Sequence, residues 1–176
     1  QDEAVGEAID KVGKLLKLPY PGGPHIERIA KEGNPKKFNY PRPMINKNNL
    51  DLSFSGLKTA VLYSIRDLDN LDEHIPDIAA SFQRAAIDVL VSKIKKSMLQ
   101  TSRDTLILAG GVAANGLLRK EMSNLENEMG IKVRYPAMKH CTDNAAMIAY
   151  LGSLKTPDLS NQGQSCARPR WPLNEV

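Results

Sequence analysis

Two stretches of this 176-residue chain hold the residue types that grip anions and metals, and a third holds a lone acid. The first runs from Thr105 through Gly110, Gly111 and Asn115. An apolar segment ends in paired glycines and gives way to a helical pattern at Leu117, Leu118, Met122 and Leu125, which reads as strand, tight turn and helix. Glycines let the backbone approach a ligand closely, and the free N–H groups of a helix start favour anions, so Gly110 and Gly111 form a candidate phosphate turn. The spacing is neither a dinucleotide fingerprint nor a Walker A loop. The second stretch is Cys141-Thr142-Asp143-Asn144, where Asp143 at a helix start offers a carboxylate to a hard or borderline metal. By spacing alone Asp143 reads as a helix cap before it reads as a metal ligand. The third is Asp10, four residues before Lys14 on a helical pattern, which by spacing reads as one half of an exposed ion pair.

The elements that must position these groups follow from periodicity. Val5, Ala8, Ile9, Val12, Leu15 and Leu16 form one apolar stripe of a helix over residues 2–17, with Glu7–Lys11 and Asp10–Lys14 pairs outside it. Tyr20-Pro21-Gly22-Gly23-Pro24 then predicts a stiff turn, followed by a helix over residues 25–32 with Gly33 as its C-cap. Residues 36–40 and 51–54 alternate as two short strands and predict an antiparallel pair. Ser55, as N-cap or as part of an anion-binding start, opens a helix that continues through Val61, Ile65 and Leu68. Pro76 fits the first turn of a long helix whose stripe is Ile78, Phe82, Ala86, Val89, Leu90, Ile94 and Met98. Lys93, Lys95 and Lys96 near its end suit the helix dipole or a nucleic-acid backbone. Residues 131–135 close a βαβ unit, which puts the glycine turn and the 137–142 loop at the carboxyl edge of a sheet.

Composition fits one ordinary domain, 41% hydrophobic and 25% charged, with a formal net charge of +4 that permits nucleic-acid contact without requiring it. Cys141 and Cys166 build neither a disulfide framework nor a CxxC metal knuckle, so a reducing compartment, the cytoplasm, is expected. His25 has no second ligand at metal spacing, and His140 and Cys141, adjacent on an extended segment, point apart and do not converge with Asp143. No apolar run is long enough to span a bilayer, so no membrane partner is expected. The chain starts without Met inside a helical pattern, which predicts a piece of a longer protein.

Six motifs in order resemble the bacterial tRNA threonylcarbamoyladenosine synthases, the TsaD family once called O-sialoglycoprotein endopeptidases. They are Gly6-Glu-Ala-Ile-Asp10-Lys11, Tyr20-Pro-Gly-Gly-Pro24, Phe38-x-Tyr-Pro-Arg-Pro43, Ser53-Phe-Ser-Gly-Leu-Lys-Thr59, Ala109-Gly-Gly-Val-Ala-Ala-Asn115 and Cys141-Thr-Asp-Asn144. The resemblance covers the carboxyl-terminal half of such a protein. It implies an α/β fold, the second lobe of an actin-like ATPase of the sugar-kinase type, over residues 1–156, with an extended tail over 157–176. It also implies roles: Asp10, Gly23 and Asn115 hold an adenylate, and Asp143 is a metal ligand. The family's other ligands, a His-x-x-x-His pair, and its Ser-Gly-Gly-His-Thr loop are absent from this sequence.

The reaction implied is transfer of a threonylcarbamoyl group from threonylcarbamoyl-AMP to the adenosine beside a tRNA anticodon, with threonylcarbamoyl-AMP or ATP as the nucleotide ligand and this chain inactive alone. Implied cofactor and partners are one iron or zinc ion per subunit, tRNA, a homologous TsaB-type subunit, a small TsaE-type ATPase and a homodimer. Lys93, Lys95, Lys96 and Arg119 are the cations expected to meet the tRNA backbone. A small-molecule kinase or ATPase on the same fold, and a partner-binding lobe without catalysis, are the competing expectations.

Overall fold

In a computed structural model, residues 4–154 are described. The chain divides into two compact units, residues 1–143 and 144–176. The first holds helices α1 (Val5–Leu15), α2 (Gly22–Ala30), α3 (Ser55–Arg66), α4 (Ile75–Thr101) and α5 (Gly116–Met129), with strands β1 (Thr105–Ile107) and β2 (Lys132–Arg134). In the second, α6 spans Ala145–Ser153. The boundary expected at residues 156 and 157, and the tail beyond it, lie outside the described residues. Among those residues the architecture is helix-rich α/β with a two-stranded parallel sheet, in which Leu106 pairs with Val133. No helix there is long and apolar enough to cross a membrane.

The long helix α4 organises the first unit because it is apolar on two sides. On one side Ile78, Phe82 and Val89 pack with Val12 and Leu16 of α1, Ile26 of α2, and Leu57 and Val61 of α3. On the other, Ile87 and Met98 pack with Leu118, Met122 and Leu125 of α5 and Val133 of β2. Its 27 residues extend about 40 Å at 1.5 Å each, long enough to serve both clusters. Pro76 sits in the first turn, where its missing donor is harmless, as the sequence predicts.

Several local expectations fail for identifiable reasons. The helix expected at residue 25 begins at Gly22, with Pro21 as N-cap, because the first turn of a helix needs no internal N–H bonds and so accepts Pro24. The glycine there serves a helix crossing: a Cβ on Gly13 would lie 2.9 Å from the Gly22 Cα, so only glycines let α1 and α2 meet this closely. Gly33 is not a C-cap either. Lys31 caps α2, while a Cβ on Gly33 would sit 1.9 Å from the Pro76 carbonyl oxygen, so its absence lets the chain pass the start of α4.

Segments 36–40 and 51–54 form no strands. Local and side-chain bonds claim the first instead: Asn34 Oδ1 accepts from Lys36 N at 2.9 Å, Ser81 Oγ accepts from Phe38 N at 3.2 Å, and Tyr40 N turns back to Phe38 O at 3.1 Å. Arg42 extends this docking, with Nη2 3.0 Å from Asp88 Oδ2 on α4. Ser55 is the first residue of α3 and not its N-cap, a position Phe54 takes, and α3 stops at Arg66 before Leu68.

Arg84 on α4 links Asp88 Oδ1 (2.8 Å) to Glu121 Oε1 on α5 (2.7 Å). The hydrogen bond from Arg84 holds the Glu121 carboxyl below its ordinary value of 4.5. A depressed folded-state value contributes stability above the unfolded value, and that contribution is lost as pH falls through the folded one. Between pH 6 and 3 the native chain is therefore expected to lose stability faster than Glu121→Gln, by on the order of 1 kcal/mol or less. Parallel slopes in thermal melts across that range would remove Glu121 from the acid response.

Candidate functional site

A groove of about 410 Å³ opens at the carboxyl edge of the sheet, between the first half of α1, the start of α2 and the segments that follow β1 and β2. Its size falls in the range of small-molecule sites. Asp10, Gly23, Gly111 and Asn115 all line it, joined by Met138 and Thr142 from the loop after β2. Four residues singled out in the sequence, separated by up to 105 positions, thus share one wall-to-wall space.

Asp10 is not an exposed partner of Lys14. It is half-buried, and its Oδ1 accepts from Gly22 N at 2.8 Å, which pins the first turn of α2 onto α1. The Glu7–Lys11 pair expected beside it forms at 2.8 Å. A carboxylate offers about four acceptor sites, so Asp10 can hold Gly22 and still accept from a ligand.

Between β1 and α5 the chain makes a 3-10 turn over Gly111–Ala114, and Asn115 then caps α5, its Oδ1 accepting from Leu118 N at 3.0 Å. The cap assigns the side-chain amide: Nδ2 must face Gln83 Oε1, 2.9 Å away on α4. One amide proton and one lone pair of Asn115 remain for a ligand. Gly110 takes φ +88°, a left-handed value that glycine adopts at no steric cost, but only Gly111 of the pair lines the groove. The helix start expected to receive a phosphate is already engaged. Glu27 Oε1 accepts from Gly116 N at 3.0 Å and the Asn115 cap from Leu118 N, so an acid and an amide take two of the first N–H groups of α5.

Neither Glu27 nor Gln83 stands out in the sequence as a site residue. The signal for Glu27 is there, since it stands four residues after Gly23 on one helix face, both bordering the groove. Gln83 has none, because its partner lies 32 residues away.

Asp143 does not line the groove, although its neighbour Thr142 does, and its side chain is exposed. Asn144, not Asp143, caps α6, its side chain accepting from Met147 N at 3.0 Å. Among the described residues no three His, Cys, Asp or Glu side chains gather where they could hold a metal ion. A single exposed carboxylate does not make a divalent-metal site, so no step is derived through a metal.

Two of the expected nucleic-acid cations are occupied inside the fold. Lys93 is 4% exposed, its ammonium donating to Lys47 O at 3.1 Å and Asn49 O at 2.8 Å. Arg119 turns inward onto Ala113 O and the Tyr135 ring. Lys96 donates to Lys47 O (3.1 Å) and Asn48 Oδ1 (2.6 Å), and Lys95 pairs with Glu128. The charges expected to meet a helix dipole or a phosphate instead hold the 47–49 loop and α5.

Fold and groove together define a helix-rich α/β lobe with a small-molecule-sized groove at its sheet edge. A family model described as TsaD, tRNA N6-adenosine threonylcarbamoyltransferase, matches residues 1–150, and the chain belongs to this family. Curated relatives carrying that description include one from Thermosipho africanus, 50% identical over 86% of this chain and 46% of its own length. Another, from Neisseria meningitidis, is 43% identical over 99% of this chain and 55% of its own, and one from Chromobacterium violaceum is 44% identical over 99% and 53%. The chain spans about half the length of the curated relatives it matches.

Proposed function

We infer that this chain is the adenylate-holding lobe of an actin-like two-lobed enzyme that transfers a threonylcarbamoyl group from threonylcarbamoyl-AMP to the adenosine beside a tRNA anticodon. The observation that carries this reading is the meeting of Asp10, Gly23, Gly111 and Asn115 on one groove of about 410 Å³. Family membership supplies the reaction.

In this reading Asp10, held by Gly22 N, accepts from ribose hydroxyls, while Gly23 leaves room for the nucleoside against α2. Asn115, steadied by its cap and by Gln83, orients the nucleotide with its remaining proton and lone pair. Gly111 brings backbone close to the phosphate side. The exocyclic amine of the tRNA adenosine attacks the carbamoyl carbon, the bond from that carbon to the phosphate oxygen breaks, AMP leaves with the electron pair, and the nitrogen gives up a proton to solvent. These residues supply positioning and no covalent intermediate.

The iron or zinc ion, the TsaB-type and TsaE-type partners and a homodimer belong to the whole protein in this reading, and the described residues alone do not complete a metal site. The chain alone is expected to bind AMP without transferring threonine. Calorimetric titration with AMP, beside incorporation of labelled threonine into tRNA by the chain and by a protein extended to the length of its relatives, tests both statements. No AMP binding would overturn the groove assignment. Sugar phosphorylation independent of tRNA by the extended protein would overturn the reaction.

A further inference from the structure

Past the last rung of the sheet, the two loops that wall the groove no longer share a ladder. Pairing of β1 with β2 reaches Ile107 opposite Arg134, with one more bond from Leu108 N to Arg134 O at 3.0 Å. Beyond it the backbone bonds found in each loop are local, such as Ala113 N to Gly110 O (3.0 Å) in the first and Cys141 N to Met138 O (3.1 Å) in the second.

The side chain of Arg119 spans the gap. Arg119, one turn into α5, donates from Nε to Ala113 O at 2.7 Å, and its guanidinium carbon lies 4.6 Å from the centre of the Tyr135 ring. Its Nη2 reaches Cys141 Sγ at 3.6 Å. Ala113 stands between Val112 and Ala114, and Cys141 beside Thr142, all three neighbours being groove-lining residues. The Cys141 thiol is 2% exposed and leans toward the carbonyl oxygens of Pro136 (3.8 Å) and Ala137 (3.7 Å).

We propose that Arg119 is a positioning residue that clasps the 111–114 turn to the 137–142 loop, and so sets the width of the groove in which an adenylate is read. A planar guanidinium is suited to bridging of this kind, because its carbon lies over the Tyr135 ring while its nitrogens serve a carbonyl and a sulfur at once. Lysine can replace the bond to Ala113 O but not the planar fork. The proposal rests on the groove being the nucleotide site, yet the clasp itself is measurable without a nucleotide.

The test uses the chain with Cys166→Ser, so that Cys141 is the one thiol, and follows its reaction with 5,5′-dithiobis(2-nitrobenzoic acid). Arg119→Ala is expected to speed that reaction by about tenfold and to raise the AMP dissociation constant by about tenfold, the scale of one lost charge-assisted hydrogen bond with its ring contact. Arg119→Lys is expected to recover part of both, and Tyr135→Leu, which leaves Arg119 in place, to fall between native and Arg119→Ala. Amide exchange of α1 and α2, unchanged in the variants, separates loop release from general loosening and serves as the control if Arg119→Ala folds poorly. Unchanged thiol reactivity in both Arg119 variants would overturn the clasp, as would faster thiol reaction only alongside lost protection in α1 and α2. A faster thiol reaction with no AMP binding by the native chain would sink the nucleotide reading and leave the clasp standing.

Discussion

Gly33→Ala is expected to lower the melting temperature by about 6–12 °C, or to leave the chain largely unfolded at 37 °C. A Cβ built on Gly33 falls 1.9 Å from Pro76 O and 2.8 Å from Asp77 N, both backbone atoms at the start of α4. No rotamer relieves such a clash, so α4 or the 31–38 segment must shift. That shift threatens the bonds docking the segment on α4, donated by Asn34 N to Asp77 Oδ1 (2.7 Å) and by Phe38 N to Ser81 Oγ (3.2 Å). Overpacking of this kind costs about 3 kcal/mol, and a chain of this size loses about 2–4 °C per kcal/mol. Gly23→Ala is the matched control, since its Cβ meets only Ile9 Cγ2 at 3.8 Å, an ordinary contact. Equal melting temperatures for Gly33→Ala and the native chain in a calorimetric scan would refute this account of the α4 start.

The largest functional effect is expected at Asp10. Asp10→Ala is expected to weaken AMP binding by about 10–100-fold, since it removes an ionised acceptor from the groove, worth about 1.5–3 kcal/mol, and frees the first turn of α2. Asp10→Asn separates the two losses. Its amide oxygen can still accept from Gly22 N, where Asp10 Oδ1 now does at 2.8 Å, so α2 stays pinned while the charge is gone. Asp10→Asn is therefore expected to melt near the native temperature and still bind AMP about tenfold more weakly. Native affinity in Asp10→Asn would leave Asp10 a purely structural pin between two helices.

How far the sequence reached depended on the range of the interaction. Helices α1, α4 and α5 were legible from apolar spacing because a helix face is written within a few turns. The βαβ unit was legible for the same reason, with strands trimmed to three residues each. Segments 36–40 and 51–54 misled because alternation records which side chains are apolar, not where backbone donors go. At Phe38 that donor goes to Ser81, 43 residues away. Lys93 misled in the opposite sense: a lysine near a helix end has a generic reading, while its real partners at Lys47 and Asn49 are set by a loop folding over α4.

By itself the sequence determined the family, the glycine turn and the identity of the groove residues Asp10, Gly23, Gly111 and Asn115, because motif order and residue type are properties of the chain. Tertiary structure alone decided what those residues do for the fold. Asp10 became a pin for α2, while two residues outside that set took positions of their own: Glu27, in place of a bound phosphate, took the α5 start, and Arg119 turned inward to bridge two loops. The reason is physical. A carboxylate or guanidinium binds whichever donor or acceptor packing brings within about 3 Å, and that neighbour is chosen by helix crossings between residues far apart in the chain.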